Sequence, residues 1–266
     1  MSEFPVSGPI TAEIRIGDGR VEILAEPRQT ATVTIEAMEQ TDQSREAAAR
    51  TTVEMRGDRL VVHTPDRGTG WWKRRGAPVR LVIAVPAESS VELKLASADA
   101  VCEGAYRSVT AHIASGDIVV DRASGDVNVH TASGDVRANQ VGGELKIHSA
   151  SGDSEVGSVD GAVQVHSASG HVEIKRASAN VKATTASGDI RVGEVRRGLV
   201  KINSASGDLS VGVAPGTGVW LDVNAMSGRA RSDLDSGSAS ATSSAAELSL
   251  HLRTMSGDVH VHRAVA

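Results

Sequence analysis

The sequence predicts an all-β protein, a right-handed parallel β-solenoid (β-helix) with coils of about eighteen residues. Three observations predict it. An Ala-Ser-Gly signature returns at a fixed interval, apolar and polar residues alternate between its returns, and aromatic residues make up only 2% of the chain. A core without rings suits a narrow cross-section filled by Val, Ile, Leu and Ala. The 27 glycines against 7 prolines favour many tight turns over a disordered linker.

The interval is best seen in the glycines. Gly116, Gly125, Gly134, Gly143, Gly152, Gly161 and Gly170 stand nine residues apart. The stronger register is eighteen: Ala-Ser-Gly begins at Ala114, Ala132, Ala150, Ala168 and Ala186. It resumes at Ala205 after one extra residue near Arg196-Arg197-Gly198. The half-steps are weaker, as in Val141-Gly142-Gly143-Glu144 and Val159-Asp160-Gly161-Ala162. Each coil is therefore two unequal halves, each a turn plus a short strand.

The strands show period two, as in Val127-Asn128-Val129, Leu145-Lys146-Ile147, Val163-Gln164-Val165 and Ile190-Arg191-Val192. Such short strands bury their apolar face only by stacking coil upon coil, with equivalent residues about 4.8 Å apart. Ser-Gly gives each corner a residue able to take positive φ and a hydroxyl for freed backbone groups. Right-handedness follows from the chirality of parallel crossovers.

The chain reads as one domain, 1–266, in three parts. Residues 1–95 form irregular coils: strands over 10–40 with a turn at 16–21, a short helix at Asp42–Arg50, a hairpin (53–56 and 60–63) around Gly57-Asp58, and a polar loop at 65–78. Residues 96–212 are the regular coils. Residues 213–266 close the stack, with a Ser/Ala-rich insertion at 233–246 and a last coil from Glu247 through Met255-Ser256-Gly257-Asp258-Val259.

Charge and composition exclude several classes. The net charge is −5 and the pI about 6.0, which argues against a nucleic-acid binder. The opening Met-Ser-Glu-Phe-Pro-Val-Ser-Gly-Pro has neither a basic nor an apolar leader region. Apolar runs such as Leu81-Val82-Ile83-Ala84-Val85 are too short to span a bilayer. The one cysteine, Cys102, has no internal disulfide partner and reads as a small inward core residue. These features point to the cytoplasm, the alternative being the cell surface by a non-classical route.

The Ser-Gly-Asp half-coils follow an opening strand pair. After them come Gly216-Thr217-Gly218-Val219-Trp220-Leu221-Asp222-Val223-Asn224, a variable insertion and a closing Ser-Gly-Asp-Val. Together these resemble the DUF4097 group, often labelled "putative adhesin", in its soluble actinobacterial form. The resemblance spans nearly the whole chain and implies a β-strand-repeat fold. It brings no catalytic residues, and its label implies a surface location.

In a solenoid a sequence period becomes a physical row. His112, His130, His148 and His166 stand four residues before the eighteen-step glycines and point outward, and the row is expected to continue as Thr184, Asn203 and Asn224. It is either a solvated polar row copied with the repeat or a ladder that binds metal or responds to pH. A second row is Asp99, Asp117, Asp135 and Asp153, interrupted by His171 and resumed at Asp189 and Asp208. Unit charges at this spacing repel by about 0.9 kcal/mol even in water. Either each Asp accepts backbone N–H bonds in its own turn or Ca²⁺ lies between coils. Calcium β-rolls use a denser Gly-Gly-Xaa-Gly-Xaa-Asp repeat.

The third feature is Trp71-Trp72-Lys73-Arg74-Arg75. Paired Trp beside cations suits a partner surface, a peripheral membrane contact through Trp71 and Trp72, or a cover over an open solenoid end. No nucleophile motif, phosphate loop or zinc spacing is present, so the sequence predicts neither an enzyme nor a cofactor. It predicts a non-catalytic structural or interaction module with an unknown protein partner. The alternatives are a self-assembling cytoplasmic scaffold of the bactofilin kind and a surface adhesin.

Overall fold

The computed structural model describes residues 1–65, 77–234 and 247–264. Its contacts divide the chain into two compact units, Met1–Ala138 and Asn139–Ala266. Each is built of β-solenoid coils whose parallel strands pair with the equivalent strands of neighbouring coils.

The first unit begins with β1 (Ser2–Pro5), β2 (Thr11–Glu26), β3 (Thr30–Ala37), α1 (Asp42–Arg50), β4 (Thr52–Arg56), β5 (Arg59–His63) and β6 (Val79–Pro86). It continues with β7 (Ser89–Ser115), β8 (Ile118–Ala123) and β9 (Val127–Ser133), and β10 (Val136–Val141) carries the chain past Ala138. Regular coils repeat at eighteen: Val109 pairs with Val127 and His112 with His130.

The early coils are not stacked in chain order. β2 lies between two later segments, pairing in parallel with β5 and β6 on one side and with β7 on the other. The expected turn at 16–21 is a corner inside the continuous strand β2. Gly19 makes it there at φ +127, where a Cβ would overlap the Val79 carbonyl oxygen.

Antiparallel strands finish this unit. β3 pairs with β6, β1 with β3, and β4 with β5 in the expected hairpin. The helix forms where the sequence places it. Thr41 caps it by accepting the Ser44 N–H at 3.2 Å, and Asp42 and Arg50 suit its dipole. Buried Ser44 donates to the Pro78 carbonyl and ties the helix to the chain entering β6.

The second unit contains β11 (Leu145–Ser151), β12 (Ser154–Val159), β13 (Val163–Ser169), β14 (Val172–Ala177), β15 (Val181–Ser187) and β16 (Ile190–Val195). β17 (Gly198–Ser206), β18 (Leu209–Val213), β19 (Val219–Ser227), β20 (Ala230–Ser232), β21 (Leu248–Ser256) and β22 (Val259–Arg263) follow. Leu145 pairs with Val163 and Val163 with Val181, the eighteen-residue step. Val181 then pairs with Val200, which absorbs the extra residue predicted near Gly198. Again chain order fails at the end. β21 lies between β17 and β19, and β22 between β18 and β20. Among the described residues, 219–232 therefore form the terminal coil, although 248–263 follow them in sequence. Placed between two ladders, Leu248, Leu250 and Leu252 of β21 are fully buried.

Inward positions are mostly aliphatic in both cores, with buried Ser or Thr before the corners. Tyr106 is an aromatic fully buried in the first unit. Its hydroxyl hydrogen faces two carbonyls, Ile23 at 2.7 Å and Glu103 at 3.0 Å, beside a register shift between Cys102 and Ala105. Cys102 is inward and buried as expected, and burial pushes its thiol up to about 12.

At the eighteen-step corners the hydroxyl differs from the sequence expectation, whereas at Ser124-Gly125 the Ser124 hydroxyl donates to the Tyr106 carbonyl at 3.3 Å. The serine of an eighteen-step Ser-Gly contributes its carbonyl. The hydroxyl comes from an inward residue two positions earlier: Ser149 donates to Ser151 at 3.0 Å, Ser167 to Ser169 at 2.9 Å and Thr185 to Ser187 at 3.1 Å. An inward polar side chain is tolerated because it answers a carbonyl that the corner removes from the ladder. The two halves of a coil are unequal in their corners too. Gly257 is typical of the eighteen-step corners, at φ +135 with no room for a Cβ above the Gly207 carbonyl.

Candidate functional site

The aspartate row is an intercoil hydrogen-bond column. In the first unit the Asp117 N–H donates to Asp99 Oδ1 at 3.0 Å and the Asp135 N–H to Asp117 Oδ1 at 2.8 Å. In the second, the His171 N–H donates to Asp153 at 2.8 Å, the Asp208 N–H to Asp189 at 2.8 Å and the Asp258 N–H to Asp208 at 2.7 Å. Each carboxylate thus serves the turn of the next coil, where its own turn was expected. These charge-assisted bonds offset the like-charge repulsion along the row. His171 keeps the column intact by accepting the Asp189 N–H on Nδ1 at 3.2 Å, which puts its ring proton on Nε2. Among the described residues, no group of three or more His, Cys, Asp or Glu side chains is arranged to hold a metal ion.

Neighbouring histidines of the row stack within each unit. His112 and His130 lie 5.0 Å apart, centroid to centroid, at an interplanar angle of 9°; His148 and His166 lie 5.1 Å apart at 20°. Burial, with His166 and Lys146 adding, holds the His148 imidazole below its ordinary pKa. The continuation of the row is corrected by the inserted coil: Thr184, Asn203, Arg253, then Asn224. Trp71, Trp72, Lys73, Arg74 and Arg75 lie outside the described residues.

The terminal coil, residues 219–232, holds the surface that sequence reasoning missed. Among the described residues, β19 pairs with β21 alone, which leaves its other edge open. Its inward residues Val219, Leu221, Val223 and Ala225 are only half-buried. Two large apolar side chains face outward: Trp220 is 49% exposed and Met226 76%. Trp220 leans on His251 of β21, with ring centroids 4.9 Å apart. His251 Nδ1 lies 3.3 Å from Asp222 Oδ2, and Arg253 lies 3.9 Å from the same oxygen.

On the other half of the coil, His260 Nε2 lies 2.7 Å from Asp233 Oδ2. This contact, with Arg231 adding, holds the Asp233 carboxyl below the usual carboxylate range. His260 also stacks on His262, 5.0 Å away, whose imidazole burial holds below its ordinary pKa.

A sequence signal for this surface exists. The Ala of Ala-Ser-Gly becomes Met at Met226 and Met255, and exposed Leu199 and Trp220 occupy strand positions that both pair with Ser249. In the last coils, large apolar side chains on outward rows are also strongly exposed, at Leu199, Trp220, Met226 and Met255.

Parallel coils, an aliphatic interior and a turn column closed by hydrogen bonds define a β-solenoid of the strand-repeat class. The chain belongs to the Toastrack DUF4097 family, whose model matches residues 11–262. No curated protein matches it. Among solved structures it is similar to a "putative adhesin" from Bacteroides fragilis, at 10% identity and a TM-score of 0.48, over 98% of this chain and 95% of that one. A "putative lipid binding protein" from Parabacteroides distasonis is similar at 13% identity and a TM-score of 0.39, over 99% and 96% of the two chains. Among the described residues no helix is long and apolar enough to cross a membrane.

Proposed function

We propose that this protein is a non-catalytic interaction module that contacts its partner through the terminal coil, residues 219–232. One observation carries the reading: among the described residues this coil keeps an unpaired strand edge, and its exposed Trp220 and Met226 stand on rows that carry small or polar side chains in the regular coils, alanine in the row of Met226. Aromatic and Met side chains are enriched where proteins meet. The Asp column is engaged in holding coils together, so it serves the frame and leaves the outward rows for contact. A cytoplasmic setting is part of this reading, supported by the lone, deeply buried thiol of Cys102.

A photo-crosslinking side chain at Met226, compared with one at Gln164 on a regular outward row, tests it in the native cell. Adducts of defined mass from position 226 and none from 164 are expected. Equal labelling at both positions, or none at either, would overturn the reading.

A further inference from the structure

We infer that the partner of the terminal coil is a second copy of this chain, joined by antiparallel pairing of β19 with β19 about a two-fold axis through Val223. The inference rests on the interaction-module reading and gives it an occupant.

The argument begins with strand pleat. Two copies of one strand related by a two-fold axis pair so that paired residue numbers add to a constant. That constant must be even, because an odd sum would set inward residues opposite outward ones. The axis therefore passes through one residue. With the axis at Val223, Trp220 stands opposite Met226 of the other copy, and Leu221 opposite Ala225. Asp222 then faces Asn224. The two exposed large apolar side chains of the strand thus cover each other, in the sulfur–aromatic contact that Met favours. Moving the axis to Asp222 sets two carboxylates face to face, and moving it to Asn224 puts Asp222 opposite Met226. Only the Val223 register matches apolar to apolar and polar to polar.

Burial supports the same arrangement. Val219, Leu221, Val223 and Ala225 point inward but are half-buried, whereas Leu248, Leu250 and Leu252, one coil further in, are fully buried. A second copy added across the open edge would continue the sheet and cover them. Trp220 already has one side against His251, so a neighbour is needed only on the other.

The finishing strands of the first unit speak against a polymer. β1 is four residues long and ends in Pro5, and β4 carries an ion pair between Arg56 and Glu54. Short strands, Pro and charge are what discourage edge pairing. A head-to-tail chain of copies would need one of these edges as acceptor. A two-fold contact uses β19 twice and closes on itself.

Single cysteines test the register, because the native Cys102 is buried. In the proposed pairing Val223 faces its own copy at a Cα separation of about 4.5–5.5 Å, within disulfide reach. Two copies of residue 226 would sit six residues apart along the strand, about 20 Å, and beyond it. Mild oxidation of Val223→Cys is expected to give a covalent dimer, and Met226→Cys none. Sedimentation equilibrium on the unmodified chain is expected to show twice the 27.5 kDa monomer mass. Met226→Lys, at a fully outward position, should weaken that dimer at least tenfold. A monomer at all concentrations, or a mass that keeps growing with concentration, would overturn the inference. So would equal crosslinking of both cysteine variants. If the chain is monomeric yet position 226 still photo-crosslinks to another protein, this inference falls and the interaction-module reading stands.

Discussion

The strands that finish the first unit and the coil that finishes the second solve the same problem in opposite ways. A solenoid end exposes a strand edge and the side of its core. In the first unit, β3 runs antiparallel along β6, β1 and β4 border β3 and β5, and α1 is tied down by Ser44. The interior residues there, Val33 and Leu81 among them, are fully buried. In the second unit, β19 is nine residues long, has no proline and carries one charged residue, Asp222. Its inward residues are only half-covered. The difference teaches that a strand edge left open among the described residues is a candidate contact, because the first unit shows how an edge is closed.

The comparison breaks first under a buried charge. Val33→Asp puts a carboxylate where no solvent reaches, and a loss of about 3–5 kcal/mol is expected. Val223→Asp makes the same change in the half-covered coil and should cost about 1 kcal/mol or less in dilute protein. Urea unfolding followed by circular dichroism measures both, and equal losses would erase the distinction.

Glycine substitutions sharpen it next. Gly257 holds φ +135 against the Gly207 carbonyl, whereas Gly216, entering β19, has φ +78 and open space around it. Gly257→Ala is expected to cost about 2–3 kcal/mol and Gly216→Ala about 1 kcal/mol, read as a difference in denaturation midpoint.

The helix that helps close the first unit comes third. Ser44→Ala removes two buried-side bonds, to Pro78 and from Glu39, for about 1–2 kcal/mol. Thr41→Ala removes the cap for about 1 kcal/mol. Both should raise hydrogen exchange in β6 and leave β19 unchanged.

pH acts on the second unit. Folding holds His148 and His262 below the ordinary imidazole value, so the unfolded chain binds protons that the folded one refuses. Their contribution is fully present above about pH 6.5 and is lost as pH falls toward their folded values. Melting temperature should therefore drop on acidification. His148→Gln with His262→Gln should flatten the curve, and an unaltered slope would remove these two groups as its cause. The smallest effect belongs to the surface: Arg56→Ala, which breaks the ion pair with Glu54, should change stability by no more than about 0.5 kcal/mol.

Much of this fold is legible in the sequence because a period is a local quantity. The eighteen-residue step, the inward alternation, the extra residue before Gly198, the helix at Asp42–Arg50 and the hairpin at Gly57 all follow from neighbours along the chain. Stacking order does not. β2 and β21 each enter between two other coils, and nothing in residues 11–26 or 248–256 announces it, since every coil offers the same ladder. The Asn203–Arg253–Asn224 row was misread for that reason alone. The sequence offers backbone acceptance within one turn, beside calcium, for the aspartates; their bonds instead cross to the next coil, one rung away in space and eighteen or more residues in sequence. The terminal surface was present as Trp220 and Met226 in rows that carry small or polar residues in the regular coils. Its meaning depends on which coil is last, and only the pairing of β19 with β21 shows that.

Hydrogen exchange along β19 tests the central claim most directly. The amides of β19 that face away from β21 should exchange fast in dilute protein and become protected as concentration rises, while those of β3 and β21 stay protected throughout. Slow exchange in β19 at the lowest concentration, equal to that of β3, would contradict an open edge.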